Sequence, residues 1–188
     1  MTADGTLLVY YITNLIVMQR YEDSLKILES QQSQEQEPLC QANLRRLHAY
    51  ALYRSTQNTA RDVKAKIEEA GKLFGSCKST HGQALCAWAL GFLYYSHKEQ
   101  FVYKHLNSEA KVLDAASAKL EEAIKLYAAG HHFAGQSYCH QLLQYIKVKN
   151  KESVRRWRVT GVYSIRTTSG CRRACGHRSS RTGSTPAS

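Results

Sequence analysis

Histidine and cysteine, the side chains that most often ligate zinc, fall into two close groups in this chain. His131 and His132 lie near Cys139 and His140, and the segment "CRRACGH" holds Cys171, Cys175 and His177. The first group has the wrong spacing for a metal, because adjacent histidines point to different sides of a helix or lie in a turn, and no carboxylate cluster stands with them. The second offers three ligands with no fourth nearby, among arginines that repel a dication. Neither is read as a metal site. The paired acids Glu68/Glu69 and Glu121/Glu122 resemble an acid–base set only until their surroundings are read. Each pair recurs beside lysines, Lys66 and Lys72 or Lys119 and Lys125, which is the arrangement of a solvated helix face. No glycine-rich phosphate loop and no serine elbow is present. The sequence predicts no catalytic constellation, no metal and no cofactor, and points to a non-enzymatic role.

The recurring acids belong to a longer repetition. "KIEEAGKLFGSCKSTHGQALCAWAL", residues 66 to 90, aligns without a gap on "KLEEAIKLYAAGHHFAGQSYCHQLL", residues 119 to 143, at an offset of 53 with ten identities in twenty-five positions. Gly82 matches Gly135, Cys86 matches Cys139 and Leu90 matches Leu143; Ile67/Leu120 and Phe74/Tyr127 are like-for-like swaps. A repetition that keeps apolar and small residues in register predicts a repeated packing pattern.

Before residue 149 apolar residues recur at spacings of three and four, and strict alternation is absent over any useful length, so the fold class is all-α. Helices are expected near 6–17, 20–31, 39–56, 60–75, 81–96, 109–129 and 133–149. Thr59 followed by Asp62, and Thr80 followed by Gln83, read as capping boxes; Pro38 suits a first turn, and Gly75 and Gly130 stand where helices should stop. The scattered Cys40, Cys77, Cys86 and Cys139 behave as small hydrophobes and not as a disulfide framework. The start "MTADGTLLVYYITNLIVMQRYED" has Asp4 where a signal peptide would be positive, and its apolar run is interrupted by Thr13 and Asn14. A cytoplasmic or nuclear protein with no membrane segment is the expectation.

Helices in recurring pairs joined by short connections suggest a solenoid. Leu90, Gly91 and Tyr94 in "AWALGFLYY" resemble the first helix of a tetratricopeptide (TPR) repeat, and Ala116, Leu120 and Ala123 resemble its small-large-small second helix. Val63, Ile67 and Ala70 repeat that second pattern, and Tyr21 with Ser24 echoes it. The array is divergent: Trp88 stands one place late, the closing prolines are missing, and "HKEQFVYKHLNS", residues 97 to 108, lengthens one unit. The resemblance covers residues 6 to 149 and implies a right-handed α-solenoid of antiparallel helix pairs, with three and a half units.

It also implies a partner site. On the repeat pattern the groove-facing residues are Leu85, Trp88, Phe92 and Tyr95, flanked by Leu47, Ala51 and Arg54 on one side and Gln141, Tyr145 and Val148 on the other. A hydrophobic groove taking a partner's helix or peptide is one reading. In the other, Phe101 and Tyr103 of the insert fold back and cover the stripe. A receptor for the C-terminal carboxylate of a chaperone is disfavoured, since no Lys is followed four places later by Asn at matching positions, and Arg45, Arg46 and Arg54 are differently placed.

The charge is uneven. Residues 151–188 hold nine basic residues against Glu152 alone, which accounts for +8 of the total +11, so the high pI belongs to this segment and residues 1–150 form the helical domain. Rich in Arg, Ser, Thr and Gly, the segment is expected to stay disordered. Arg155, Arg156, Arg158, Arg172 and Arg173 could attract RNA, DNA or acidic surfaces, or the segment could carry no role. It begins where the second helix of the last unit is due, so the helix at 133–149 is expected to leave Cys139, Leu143 and Ile146 open, with only Val154 and Trp157 to pack back, and the chain to self-associate or depend on a partner at that end.

Overall fold

The computed structural model describes residues 3–31, 37–55, 59–102 and 108–151. The described residues are helical, without a strand. The helices are α1 (Ala3–Val17), α2 (Tyr21–Ser30), α3 (Pro38–Arg54), α4 (Ala60–Ser76), α5 (Thr80–Ser96), the short α6 (Lys98–Phe101), α7 (Glu109–Ala129) and α8 (133–151). Each expected helix is present, with ends moved by at most three residues; α6 is an additional turn inside the insert. No described helix is long and apolar enough to cross a membrane. Tyr103 and all the tail arginines named above, with Cys171, Cys175 and His177, lie outside the described residues.

Local chemistry explains the helix ends. Thr59 and Asp62 form a reciprocal capping box on α4: the Asp62 N–H donates to Thr59 Oγ1 and the Thr59 N–H to Asp62 Oδ2. On α5 the cap is Ser79 and not Thr80, with Ser79 Oγ accepting from the Gly82 N–H at 3.3 Å. Gly75 does not stop α4, which runs one residue further. The chain turns instead at Lys78, whose φ of 55° is left-handed, and its counterparts Gln19 after α1 and His131 after α7 have φ of 61° and 54°. All three are Schellman turns, in which the N–H after the left-handed residue reaches back over the last helical turn. Ser79 N–H donates to the Phe74 carbonyl, His132 N–H to that of Tyr127 and Arg20 N–H to that of Leu15, at 2.8–2.9 Å.

The repeated sequence is thus a repeated corner between two helices. At offset 53, Ser79→Phe74 becomes His132→Tyr127, Lys78→Gly75 becomes His131→Ala128, and Gln83→Ser79 becomes Gln136→His132. The helix cap repeats as well, with His132 Nδ1 accepting from the Gly135 N–H at 3.1 Å in place of a hydroxyl. Side-chain packing follows the same register. A Cβ on Gly82 would lie 2.2 Å from the Phe74 ring, and one on Gly135 would lie 2.7 Å from the Tyr127 ring, so each corner seats an aromatic ring where only glycine leaves room.

Contacts run between neighbours along the chain: α1 with α2, α2 with α3, α3 with α4, α4 with α5, and α5 with α7, while α1 also meets α3 and α3 lightly meets α5. The described residues up to Asn150 form one compact unit. Three apolar clusters hold it together. Ile12, Ile16, Leu28, Cys40, Leu44, Leu47 and Ala51 join α1 to α3. Val63, Ile67, Ala70, Phe74, Leu90 and Leu93 centre the cluster of α3, α4 and α5, to which Phe101 and Val112 add. Leu113, Ala116, Leu120, Ala123 and Tyr127 of α7 pack with Ala84 and Ala87 of α5 and with α8. The close approach of α5 and α7 depends on Gly91, where a Cβ would stand 2.8 Å from Leu120 and 3.1 Å from the Ala116 carbonyl.

One expectation is reversed at the far end. Cys139, Leu143 and Ile146 are not open; they are buried in the cluster with α5 and α7. The corner repeat is the reason, because it turns the Cys139/Leu143 face back onto the preceding helices just as it turns Cys86 and Leu90. The apolar side chains that α8 exposes are Phe133, Tyr138, Tyr145 and Val148.

Candidate functional site

Between α3 and α5 the surface opens into a cleft of about 110 Å³ floored by Val63 and Ile67 of α4. Helical spacing builds both walls. Arg46, Ala49, Tyr50 and Tyr53 project from one face of α3, and Leu85, Trp88, Ala89 and Phe92 from one face of α5. Ala49 and Ala89 are small, and the space they leave is bounded by rings. Trp88 stacks on Phe92 with centroids 5.8 Å apart and planes 12° apart, Tyr53 meets Phe92 edge-on at 5.9 Å, and His97 meets Tyr53 at 5.4 Å. Tyr50 remains 48 % exposed at the rim.

The insert does not cover these rings with its phenylalanine. Phe101 is buried in the cluster of α3, α4 and α5 and packs edge-on against Tyr94, at 4.8 Å. It is held there from two sides: the Gln100 carboxamide oxygen accepts from the Ala60 N–H at 3.0 Å, and Lys98 pairs with Glu109 at the start of α7.

The structure brings together only part of the groove expected from the sequence. Leu85, Trp88 and Phe92 line the cleft. Tyr95 lies further along α5 and meets Tyr145 of α8 edge-on at 5.7 Å; burial and that phenol neighbour push its hydroxyl up to about 12. Gln141 and Val148 are exposed on α8. Leu47 and Ala51 point the other way, into the cluster with α1 and α2. Arg54 lies against Tyr21, donating to its hydroxyl at 3.2 Å, at the start of α2. The α3 wall is therefore made by Arg46, Tyr50 and Tyr53, which the repeat pattern passed over. Their spacing of four and three sets them on one face of α3, but with Tyr53 packed against the core and Arg46 half-buried that stripe does not announce itself as a surface.

Nothing in this arrangement resembles an acid–base or nucleophilic set. Cys86 borders the cleft, but burial pushes its thiol up to about 11, as it does that of Cys139, so neither is a ready thiolate. Among the described residues no three His, Cys, Asp or Glu side chains gather to hold a metal ion. His132 is taken up by the α8 cap and by ring contacts with His81 and Tyr127 at 4.7 and 5.3 Å.

No family model, no curated protein and no solved structure matches the chain.

Proposed function

We propose that this chain is a non-enzymatic interaction scaffold, a divergent TPR-like array that holds a helix or peptide of another protein in the α3–α5 cleft. The observation that carries the proposal is an apolar, ring-lined cleft that none of the described residues fills, beside helices whose other faces pack into the core. Aromatic side chains concentrated in one concave place are what protein-binding sites use to gain affinity. The array reading draws support from the order of helix contacts and from the second-helix pattern. Ser24, Val63 and Ala116 are buried residues of α2, α4 and α7, each followed four positions later by a larger buried one, Leu28, Ile67 and Leu120.

The test is affinity capture with the full chain and with Trp88→Ala and Phe92→Ala, each checked for helicity by circular dichroism. The proposal expects partner proteins retained by the wild type to be lost from both folded variants. Unchanged retention would count against it. The uneven charge favours a second reading, nucleic-acid association through residues 151–188. Replacing Arg155, Arg156 and Arg158 by Gln separates the two, since protein partners should survive that change and salt-sensitive nucleic-acid retention should not.

A further inference from the structure

The residues lining the cleft include one formal charge, Arg46. Its Nε is buried and has no hydrogen-bond partner. The nearby ion pairs belong to other residues, Arg45 with Glu69 and Lys64 with Glu68. Burial lowers the guanidinium pKa, and the groups that act against this are Cys86 and Tyr127. Those two are themselves pushed up to about 11 and about 12, so at neutral pH they are uncharged and bring Arg46 no counter-charge. At the neighbouring α5 start, His81 is depressed first by burial and then by His132, with Arg46 adding to both. Arg46 is half-buried, with its Nε cut off from both solvent and protein acceptors, and no carboxylate of the cleft lining answers its charge, so a carboxylate brought to the guanidinium would supply the missing counter-charge.

We propose that the cleft takes an acidic-apolar segment of another protein, in which an internal Asp or Glu side chain pairs with Arg46 while a neighbouring bulky apolar side chain enters between Tyr53, Trp88 and Phe92. This rests on the reading of the cleft as a partner site. The guanidinium offers a planar fork that fits one carboxylate in bidentate fashion, and the rings beside it match an apolar neighbour. An internal side chain suits the site better than a chain terminus. Capture of a terminal carboxylate uses clusters of free backbone N–H groups, and here the walls are mid-helix, where those groups are already bonded. The chain's own segment 151–188 is a poor occupant, with nine basic residues against one acidic.

The experiment probes an array of random linear peptides, amidated at the C-terminus, with the full chain. Selected peptides are then remade with Asp→Asn or Glu→Gln and titrated by fluorescence polarisation against wild type, Arg46→Met and Trp88→Ala. The expected result is selection of Asp or Glu beside Leu, Phe or Trp. Amide versions should bind about tenfold or more weakly to wild type, yet equally to Arg46→Met, so that the two losses do not add. Arg46→Met should melt close to the wild-type temperature, because it replaces a half-buried cation whose Nε has no acceptor by an apolar side chain of similar length. If it fails to fold, Arg46→Lys, which keeps the charge and loses the fork, is read in the same cycle. Selection of apolar peptides with no acidic preference and no effect of Arg46 overturns this inference and leaves the cleft reading standing. Binding only of peptides made as free acids overturns the internal carboxylate. Absence of any peptide whose binding depends on Trp88 overturns both.

Discussion

The α4–α5 corner and the α7–α8 corner share backbone hydrogen bonds, a left-handed residue and a ring seated over glycine, yet they differ in what surrounds them. Beside the first stands α3, and the outward residues of α5 become one wall of a cleft. Beyond the second, the corresponding residues of α8 are exposed: Tyr138 matches Leu85, Gln141 matches Trp88 and Tyr145 matches Phe92. A repeated sequence thus fixes the corner and its inward packing, while the outward face is free to diverge. The lesson is that identity within the repeat reports on folding, and departure from it reports on the site.

The comparison can be broken most severely in the core. Leu120 is fully buried, whereas its counterpart Ile67 borders the cleft. Leu120→Ala should therefore cost about 2–5 kcal/mol of stability, and Ile67→Ala should fall at the low end of that range or below, because the cavity it leaves opens onto solvent. Chemical denaturation of both variants checks the order; a larger loss at Ile67 would mean that the cleft is closed in solution.

Next come the glycines. An added methyl collides more severely at Gly82 than at Gly135, at 2.2 against 2.7 Å. Overpacking costs about 1–3 kcal/mol, from which the helix-forming advantage of alanine returns up to about 1 kcal/mol. Gly82→Ala should thus destabilise more than Gly135→Ala, as thermal melts would show. Equal or stabilising effects would mean that Phe74 and Tyr127 are not seated as described.

At the turns the two corners should respond alike. Lys78 and His131 hold left-handed backbone that favours glycine, so Lys78→Gly and His131→Gly should each raise stability by about 0.5 kcal/mol. A gain at one site and a loss at the other would separate turns that the hydrogen bonds make equivalent.

These turns also mark how far the sequence was legible. Periodicity located the helices because α2 and α4 bury one side and expose the other. The offset of 53 located both corners, since Phe74/Gly82 and Tyr127/Gly135 are packing partners and change together. Glycine, however, misled at Gly75: the left-handed position fell on Lys78, whose conformation is set by the hydrogen bonds around it and not by its own preference. On α3 the pattern could not choose a groove face. Leu47 and Ala51 serve the core with α1 and α2, while Ala42, Ala49 and Leu52 serve the core with α4 and α5. A helix buried on two sides carries no single apolar stripe, so the register taken from the repeat was free to place Leu47 and Arg54 in the groove and to miss Tyr50 and Tyr53.

The smallest effect concerns the paired thiols. Both sit near 11 at Cys86 and Cys139, which leaves a thiolate fraction on the order of one in a thousand at pH 8. Alkylation of the native chain, followed peptide by peptide in the mass spectrometer, should be slow at each, with Cys86 somewhat ahead because it borders the cleft. Faster reaction at Cys139 would reverse the assignment of open and closed corners.

The central claim, that the chain binds a partner through the cleft beside α3 and not through the matching face of α8, can be put to one measurement. A photo-crosslinking benzoylphenylalanine is placed in the full chain at Tyr50, on the cleft rim, or at Tyr138, on the exposed face of α8, and irradiated in cells. The account predicts a discrete protein adduct from Tyr50, diminished when Trp88→Ala is added, and none in common from Tyr138. Adducts from Tyr138 alone, or the same adducts in equal yield from both positions, would contradict it.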